Sequence, residues 1–146
     1  MAKTGSSLEW NGLDRTLGRA ARELANRRAI LDAVGETLVS STIQRFRDGE
    51  GPDGEPWEAS NRAKEEEGQT LVDTARLRNS IGHAVTDDAV LVGTAVEYAA
   101  IHQYGGKTGR GHAVTMPARP YLGLSQEDAK EVQSLLAQHL ASAFRR

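Results

Sequence analysis

The sequence predicts an α+β fold: N-terminal helices, a small, mostly antiparallel sheet with a hairpin at about residues 81–94, and a C-terminal helix over about 125–144. Three observations lead there. Apolar residues recur at three-to-four spacing from Leu8 to Phe46, the mark of an amphipathic helix. From Ile81 the period changes to two, the mark of a half-buried strand. Helical spacing returns at Val132, Leu135, Leu136, His139, Leu140 and Phe144.

The helical part occupies 8–47. Leu13, Leu17, Ala20, Ala21 and Leu24 form one stripe; Leu31, Val34, Leu38 and Phe46 continue it, with Ile43 flanking. Asn26-Arg27-Arg28 breaks the apolar phase, which predicts two helices or one bent helix. Arg15, Arg19, Arg22, Arg27 and Arg28 lie mostly off the stripe, near Asp14, Glu23 and Asp32. A solvated, ion-paired face accounts for that row better than a nucleic-acid footprint, which should be clustered and net basic.

A long polar loop follows over 48–70. Asp48-Gly49-Glu50-Gly51-Pro52-Asp53-Gly54-Glu55-Pro56 is dense in turn formers, and Glu65-Glu66-Glu67 makes a local acidic block. Residues Ser60 to Gly68 can hold a short helix. Trp57 stands alone in the loop, either pinned to its own domain or anchoring a partner, and its own domain is the simpler choice.

The α+β core spans 71–124. Asp73 or Thr74 can cap a short helix, Ala75 to Ser80, with Leu77 and Ile81 facing inward. Ile81, His83 and Val85 then share one strand face, Val90, Val92 and Thr94 another, and Thr86-Asp87-Asp88 supplies the turn. His83, between apolar neighbours, reads as structural. Glu97 to Tyr104 forms a second short helix that ends at Gly105-Gly106. Gly105 to Gly111 carries four glycines in seven positions and should be mobile. Ala113 to Met116 can return as a strand, with Pro117 and Pro120 bounding an edge segment. Ser125 caps the last helix over 125–144, with Asp128 three residues on approximating a capping box. Arg145 and Arg146 suit that helix's C-terminal dipole.

A single domain accommodates these elements at 146 residues. Hydrophobic content of 38% and aromatic content of 5% make a thin core, so either partner subunits supplement it or long segments are solvated. With no cysteine, disulfides, thiolate nucleophiles and cysteine metal sites are excluded, which suits a cytoplasmic folding environment. No apolar run approaches the roughly 18 residues of a membrane span, and Met1 to Ser7 lacks the apolar centre of a signal peptide. The net charge of −2 argues against a general nucleic-acid binder. Residues 51–100 hold 4 Lys/Arg against 10 Asp/Glu, whereas 101–146 hold 6 against 3. An acidic middle and a basic end can meet head-to-tail between copies, although an ordinary mixed surface gives the same counts.

The residues offer no catalytic set, no cofactor motif and no metal cluster. Gly106-Lys107-Thr108 resembles the end of a phosphate loop, but position 101, where the first glycine belongs, is Ile101. The basic glycine loop with Lys107, Arg110 and His112 can still touch phosphate non-specifically. His83, His102, His112 and His139 show no metal-ligand spacing. Asp73 is more simply a cap than an acid, and Glu97 is placed to pair with Arg119. No Gly-x-Ser-x-Gly elbow exists.

Five motifs in order carry a resemblance: Pro52-Asp53-Gly54-Glu55-Pro56-Trp57; Leu71-Val72-Asp73-Thr74-Ala75-Arg76-Leu77-Arg78-Asn79-Ser80-Ile81; Val92-Gly93-Thr94; Tyr98-Ala99-Ala100-Ile101-His102-Gln103-Tyr104-Gly105-Gly106; and Pro117-Ala118-Arg119-Pro120-Tyr121-Leu122-Gly123-Leu124-Ser125. Together, over roughly Ile43 to Leu140, the chain resembles the phage virion morphogenesis (tail completion) family of Mu-like and P2-like tailed phages. The family pattern has Gly in place of Ala75, a change that should favour helix, and the Lys107 to His112 segment is longer than usual.

The resemblance implies a non-enzymatic structural part of a tailed-phage particle, completing the tail or joining tail to head, in the virion after assembly in the host cytoplasm. The implied partners are other copies in a hexameric ring, tail-tube or terminator proteins or head–tail connector proteins, and DNA in the channel; no membrane and no cofactor are implied. On that basis the hairpin and the Arg119-Pro120-Tyr121 edge would form the sheet, and Trp57, Lys107, Arg110, Arg119 and Tyr121 would serve interfaces. The rival readings are a nucleic-acid-binding module at that channel and a small hydrolase with Glu97, His102 and Asp73 in one pocket.

Overall fold

A computed structural model describes residues 13–144, with side chains described over 26–142. The expected start at Leu8, the Leu13–Leu24 stripe, the side chains of Arg15, Arg19, Arg22 and Phe144, and Arg145-Arg146 lie outside those described. Helix α1 (Leu13–Asp48) is one uninterrupted element of 36 residues. It spans about 54 Å at 1.5 Å per residue. The Asn26-Arg27-Arg28 step therefore does not divide it: Arg27 and Arg28 are exposed, and a change of apolar phase leaves the backbone hydrogen bonds intact. Beyond α1 come α2 (Asn61–Glu66), α3 (Arg76–Asn79), β1 (Gly82–Val85), β2 (Val90–Gly93), α4 (Ala99–Tyr104), β3 (Gly106–Thr108), a 3-10 turn at Arg110–His112, β4 (Val114–Met116) and α5 (Gln126–Phe144). Both α5 and the β1–β2 hairpin pack on α1.

The hairpin forms as its alternation predicts. β1 and β2 are antiparallel with Val85 opposite Val90 and His83 opposite Val92. His83 Nε2 lies 2.7 Å from Asp32 Oδ1 on α1. Gly35 makes this approach possible, since a Cβ there would sit 2.3 Å from His83 Cδ2. A histidine that ties a strand to a helix is structural, as its position suggests.

The polar loop is more ordered than its composition predicts. Trp57 N–H donates to the Gly49 carbonyl (2.8 Å) and Gly51 N–H to the Glu55 carbonyl (3.0 Å), closing 49–57 into a compact turn. Ser60 caps α2 by accepting the Ala63 N–H (3.1 Å).

Three expectations fail for local reasons. Neither Asp73 nor Thr74 caps α3; Ala75 is its N-cap, at φ 63° and ψ 11°, with no side-chain hydrogen bond. This left-handed backbone suits glycine, so Ala75 opposes rather than favours the local conformation. The glycine segment is not an open loop. β3 and β4 pair antiparallel, with Lys107 opposite Thr115, and Gly105 at φ 69° leaves α4 where a Cβ would meet Ala118 N at 2.7 Å. Finally, Arg119-Pro120-Tyr121 is no edge strand; among the described residues the strands form two separate two-stranded sheets.

The core is small and partly aromatic: Phe46, Trp57, Leu77, Ile81, Ala99 and Tyr121. Phe46 meets the Trp57 ring edge-on (centroids 5.6 Å apart, 71°) and the Tyr121 ring at a tilt (5.4 Å, 45°). At one side, Arg45 and Asp128 form a buried ion pair whose side chains are 7% and 5% exposed. Ser41 also donates to Asp128, Ser125 N–H donates to its Oδ2, and Asp128 N–H donates to Ser125 Oγ, which completes the anticipated capping box.

Two stability changes follow. Ala75→Gly should raise unfolding free energy by about 1 kcal/mol in a urea melt, because the left-handed backbone then carries no Cβ penalty. Asp128→Ala should lower it by roughly 3–5 kcal/mol, because Arg45 is left charged and buried without its carboxylate.

Candidate functional site

A cleft of about 230 Å³ opens between α2, the 71–77 segment, α4 and the chain leaving β4. Its polar lining is Ser60, Arg62, Asp73, Arg76, His102 and Arg119; Leu71, Ala75, Leu77, Tyr98 and Met116 supply the rest. Each arrives from a distinct local structure. Arg62 sits in α2, where Nη2 donates to the carbonyls of Gln69 (2.9 Å) and Val72 (3.2 Å). The turn at Ala75 starts α3 and brings Arg76 over the Tyr98 ring, 5.8 Å from its centroid. α4 carries His102, edge-on to Tyr98 at 5.9 Å. The carbonyl of His102 accepts the Arg119 N–H at 2.7 Å, which joins the two sides of the cleft.

The electrostatics are one-sided. Arg119 is only 4% exposed, and its Nε donates to the Glu58 carbonyl at 2.6 Å. It does not pair with Glu97 as the sequence suggests; no ion pair engages it among the described residues. His102 Nδ1 is buried with no hydrogen-bond partner. Burial, and then the Arg119 cation, hold the His102 pKa below 6.5.

The five expected interface residues divide. Trp57 (9% exposed), Arg119 and Tyr121 (1%) are packed inside their own domain. Trp57 Nε1 donates to the Pro120 carbonyl (2.7 Å) and Tyr121 OH to the Ala99 carbonyl (2.9 Å), so both polar handles of these aromatics are occupied within the chain. Lys107 and Arg110 are exposed on the second hairpin. The hydrolase reading required Glu97, His102 and Asp73 together; Asp73 and His102 line the cleft and Glu97 does not. Ser60, the only hydroxyl-bearing serine or threonine in the lining, accepts the α2 cap bond. The sequence did not single out Arg62, Arg76 or Tyr98 as site residues; Arg76 and Tyr98 lie in two of the ordered motifs, which was their one available signal. Among the described residues no group of three or more His, Asp or Glu is placed to hold a metal ion, and no helix is long and apolar enough to cross a membrane.

The model of the phage virion morphogenesis family matches residues 8–141, which takes in the first helix and reaches into the last. The chain belongs to the phage virion morphogenesis family. Membership gives it a part in building a phage particle, and the match extends the resemblance back through α1. The chain is similar to the Mu-like prophage FluMu G protein 2 of Haemophilus influenzae, 38% identical over 116 residues that cover 80% of each chain. It is also similar to the putative capsid assembly protein G of Escherichia phage Mu, 30% identical over 139 residues, covering 88% of this chain and 86% of that one. No solved structure matches it.

The depressed His102 pKa sets a pH dependence. The unfolded histidine takes up its proton near pH 6.5 and the folded one only at lower pH. Stability from this site is therefore fully present above 6.5 and is lost as pH falls from 6.5 towards the folded value. Urea melts between about pH 7.5 and 5 should show wild type losing more stability than His102→Gln.

Proposed function

We propose that the protein is a non-enzymatic structural component that completes the tail, or joins tail to head, as a hexameric ring in a tailed-phage particle. The observation that carries this reading is the family match over 8–141, which runs from the first helix into the last. The putative capsid assembly role in the Mu relative's name supports a position at the head end of the tail. Neighbouring rings of tail tube, terminator or connector are the proposed partners.

The surface supports association by many modest contacts rather than one strong one. Leu91 on β2 (60% exposed), Tyr104 on α4 (79%) and Leu124 in the segment before α5 (61%) present separate apolar areas. The α1 C-terminus, the 50–54 turn and the start of α5 enclose an open groove of about 820 Å³, bordered by Asp48, Glu50, Asp53 and Glu127. Lys107 and Arg110 on one copy are chemically suited to that acidic border on the next, which would give a heterologous, ring-closing contact. The same two side chains favour a second reading, contact with channel DNA, which would show as steeply salt-dependent binding by the isolated protein.

Light scattering on the purified protein, alone and mixed with tail tubes, should reach a sixfold multiple of the 15.8 kDa chain. The Lys107→Ala/Arg110→Ala double variant should fall short of it. A wild-type chain that stays monomeric and ignores tube ends would overturn the ring.

A further inference from the structure

Among the described residues two buried guanidinium groups are treated in opposite ways. Arg45 is met by Asp128, by Ser41 Oγ and by the Tyr121 carbonyl (2.9 Å). Arg119, equally buried, has only the Glu58 carbonyl on its Nε and no carboxylate. A buried charge without a counter-charge is costly. Beside it, the His102 ring has a buried nitrogen with no partner. Arg62 and Arg76 line the same cleft, against the single exposed carboxylate of Asp73. Glu66 reaches Arg62 only at 3.4 Å and from an exposed position.

We propose that this cleft receives a carboxylate from another protein of the particle, an acidic side chain or chain terminus next to an apolar residue. Arg119 and Arg76 would be its counter-charges, and Leu71, Tyr98 and Met116 would cover the apolar neighbour. Guanidinium groups suit this role because their planar donors match a carboxylate's two oxygens. A nucleic-acid strand fits less well. Strands are held along wide basic tracks and stacked aromatics, whereas this cleft is about 230 Å³, has Leu71, Ala75, Leu77 and Met116 among its lining, and has Asp73 in its wall. The assignment rests on the cleft itself and is independent of whether copies close into a ring.

The test is an NMR titration of the isotopically labelled full chain with three probes: acetyl-Leu-Glu-amide, acetyl-Leu-Gln-amide and a single-stranded thymidine oligonucleotide. The glutamate peptide should move the Arg119 Nε–H and His102 ring signals and raise the pH at which His102 titrates. The glutamine peptide should bind about tenfold more weakly, and Arg76→Ala, a surface change, should weaken the glutamate peptide by a similar factor. No response up to about 10 mM, or equal response to both peptides, overturns the proposal. Movement of these signals by the oligonucleotide in preference to the peptide also overturns it and assigns the cleft to nucleic acid.

Discussion

The chain from Arg119 to Leu122 is tied down across its length without belonging to any strand, and much of the fold is arranged around its backbone. Pro120 has no N–H, and its carbonyl takes the Trp57 indole proton. The N–H groups of Tyr121 and Leu122 both donate to Gln103 Oε1 at 3.0 Å, and Gln103 Nε2 donates back to the Leu122 carbonyl. The Tyr121 carbonyl accepts from Arg45. One glutamine thus does for two peptide units what a neighbouring strand would otherwise do. The arrangement needs α1, the polar loop and α4 all in place, so these elements form cooperatively.

From that strap the rest of the energetics can be read outward. Tyr121 and Trp57 close on Phe46, placing three of the few aromatic side chains at one point. Arg45 carries the connection further, from the Tyr121 carbonyl to Asp128 and hence to the first turn of α5. Burial alone would raise the Asp128 pKa; the hydrogen bonds from Ser41 and Ser125 and the charge of Arg45 outweigh it and hold the carboxyl below 3.8. The capping box and the buried ion pair share one carboxylate, so the entry of α5 and its docking on α1 are a single event. The same strap forms a wall of the cleft, since Arg119 N–H binds the His102 carbonyl. A site anchored this way is preorganised by the core rather than by a loop.

Periodicity exposed the regular elements well. The hairpin with its Thr86–Asp88 turn, the inward Leu77 and Ile81, the helix ending at Gly105 and the Ser125–Asp128 box all depend on neighbours close in sequence. Ordered motifs, too, pointed to a family that the match over 8–141 bears out. The misreadings arose where local preference met a tertiary demand. Ala75 is a good helix former held at positive φ. The four glycines after Tyr104 read as loose, yet β4 lies opposite β3 and pairs with it. The Pro120 carbonyl that holds Trp57 in its own domain, the simpler of the two sequence readings, is 63 positions away and leaves no local signal.

The sequence by itself determined the α+β class, the order of helices and hairpin, the Ser125–Asp128 cap of the last helix and the family, because each is written in spacing between nearby residues. Only the tertiary structure decided that two sheets form instead of one, that the expected interface aromatics are core, and that Arg62, Arg76, His102 and Arg119 converge while Glu97 stays apart. Those outcomes turn on which distant group satisfies a buried backbone carbonyl or guanidinium. Hydrophobic period and turn chemistry do not encode that choice; it is settled when α1, α4 and the strap meet.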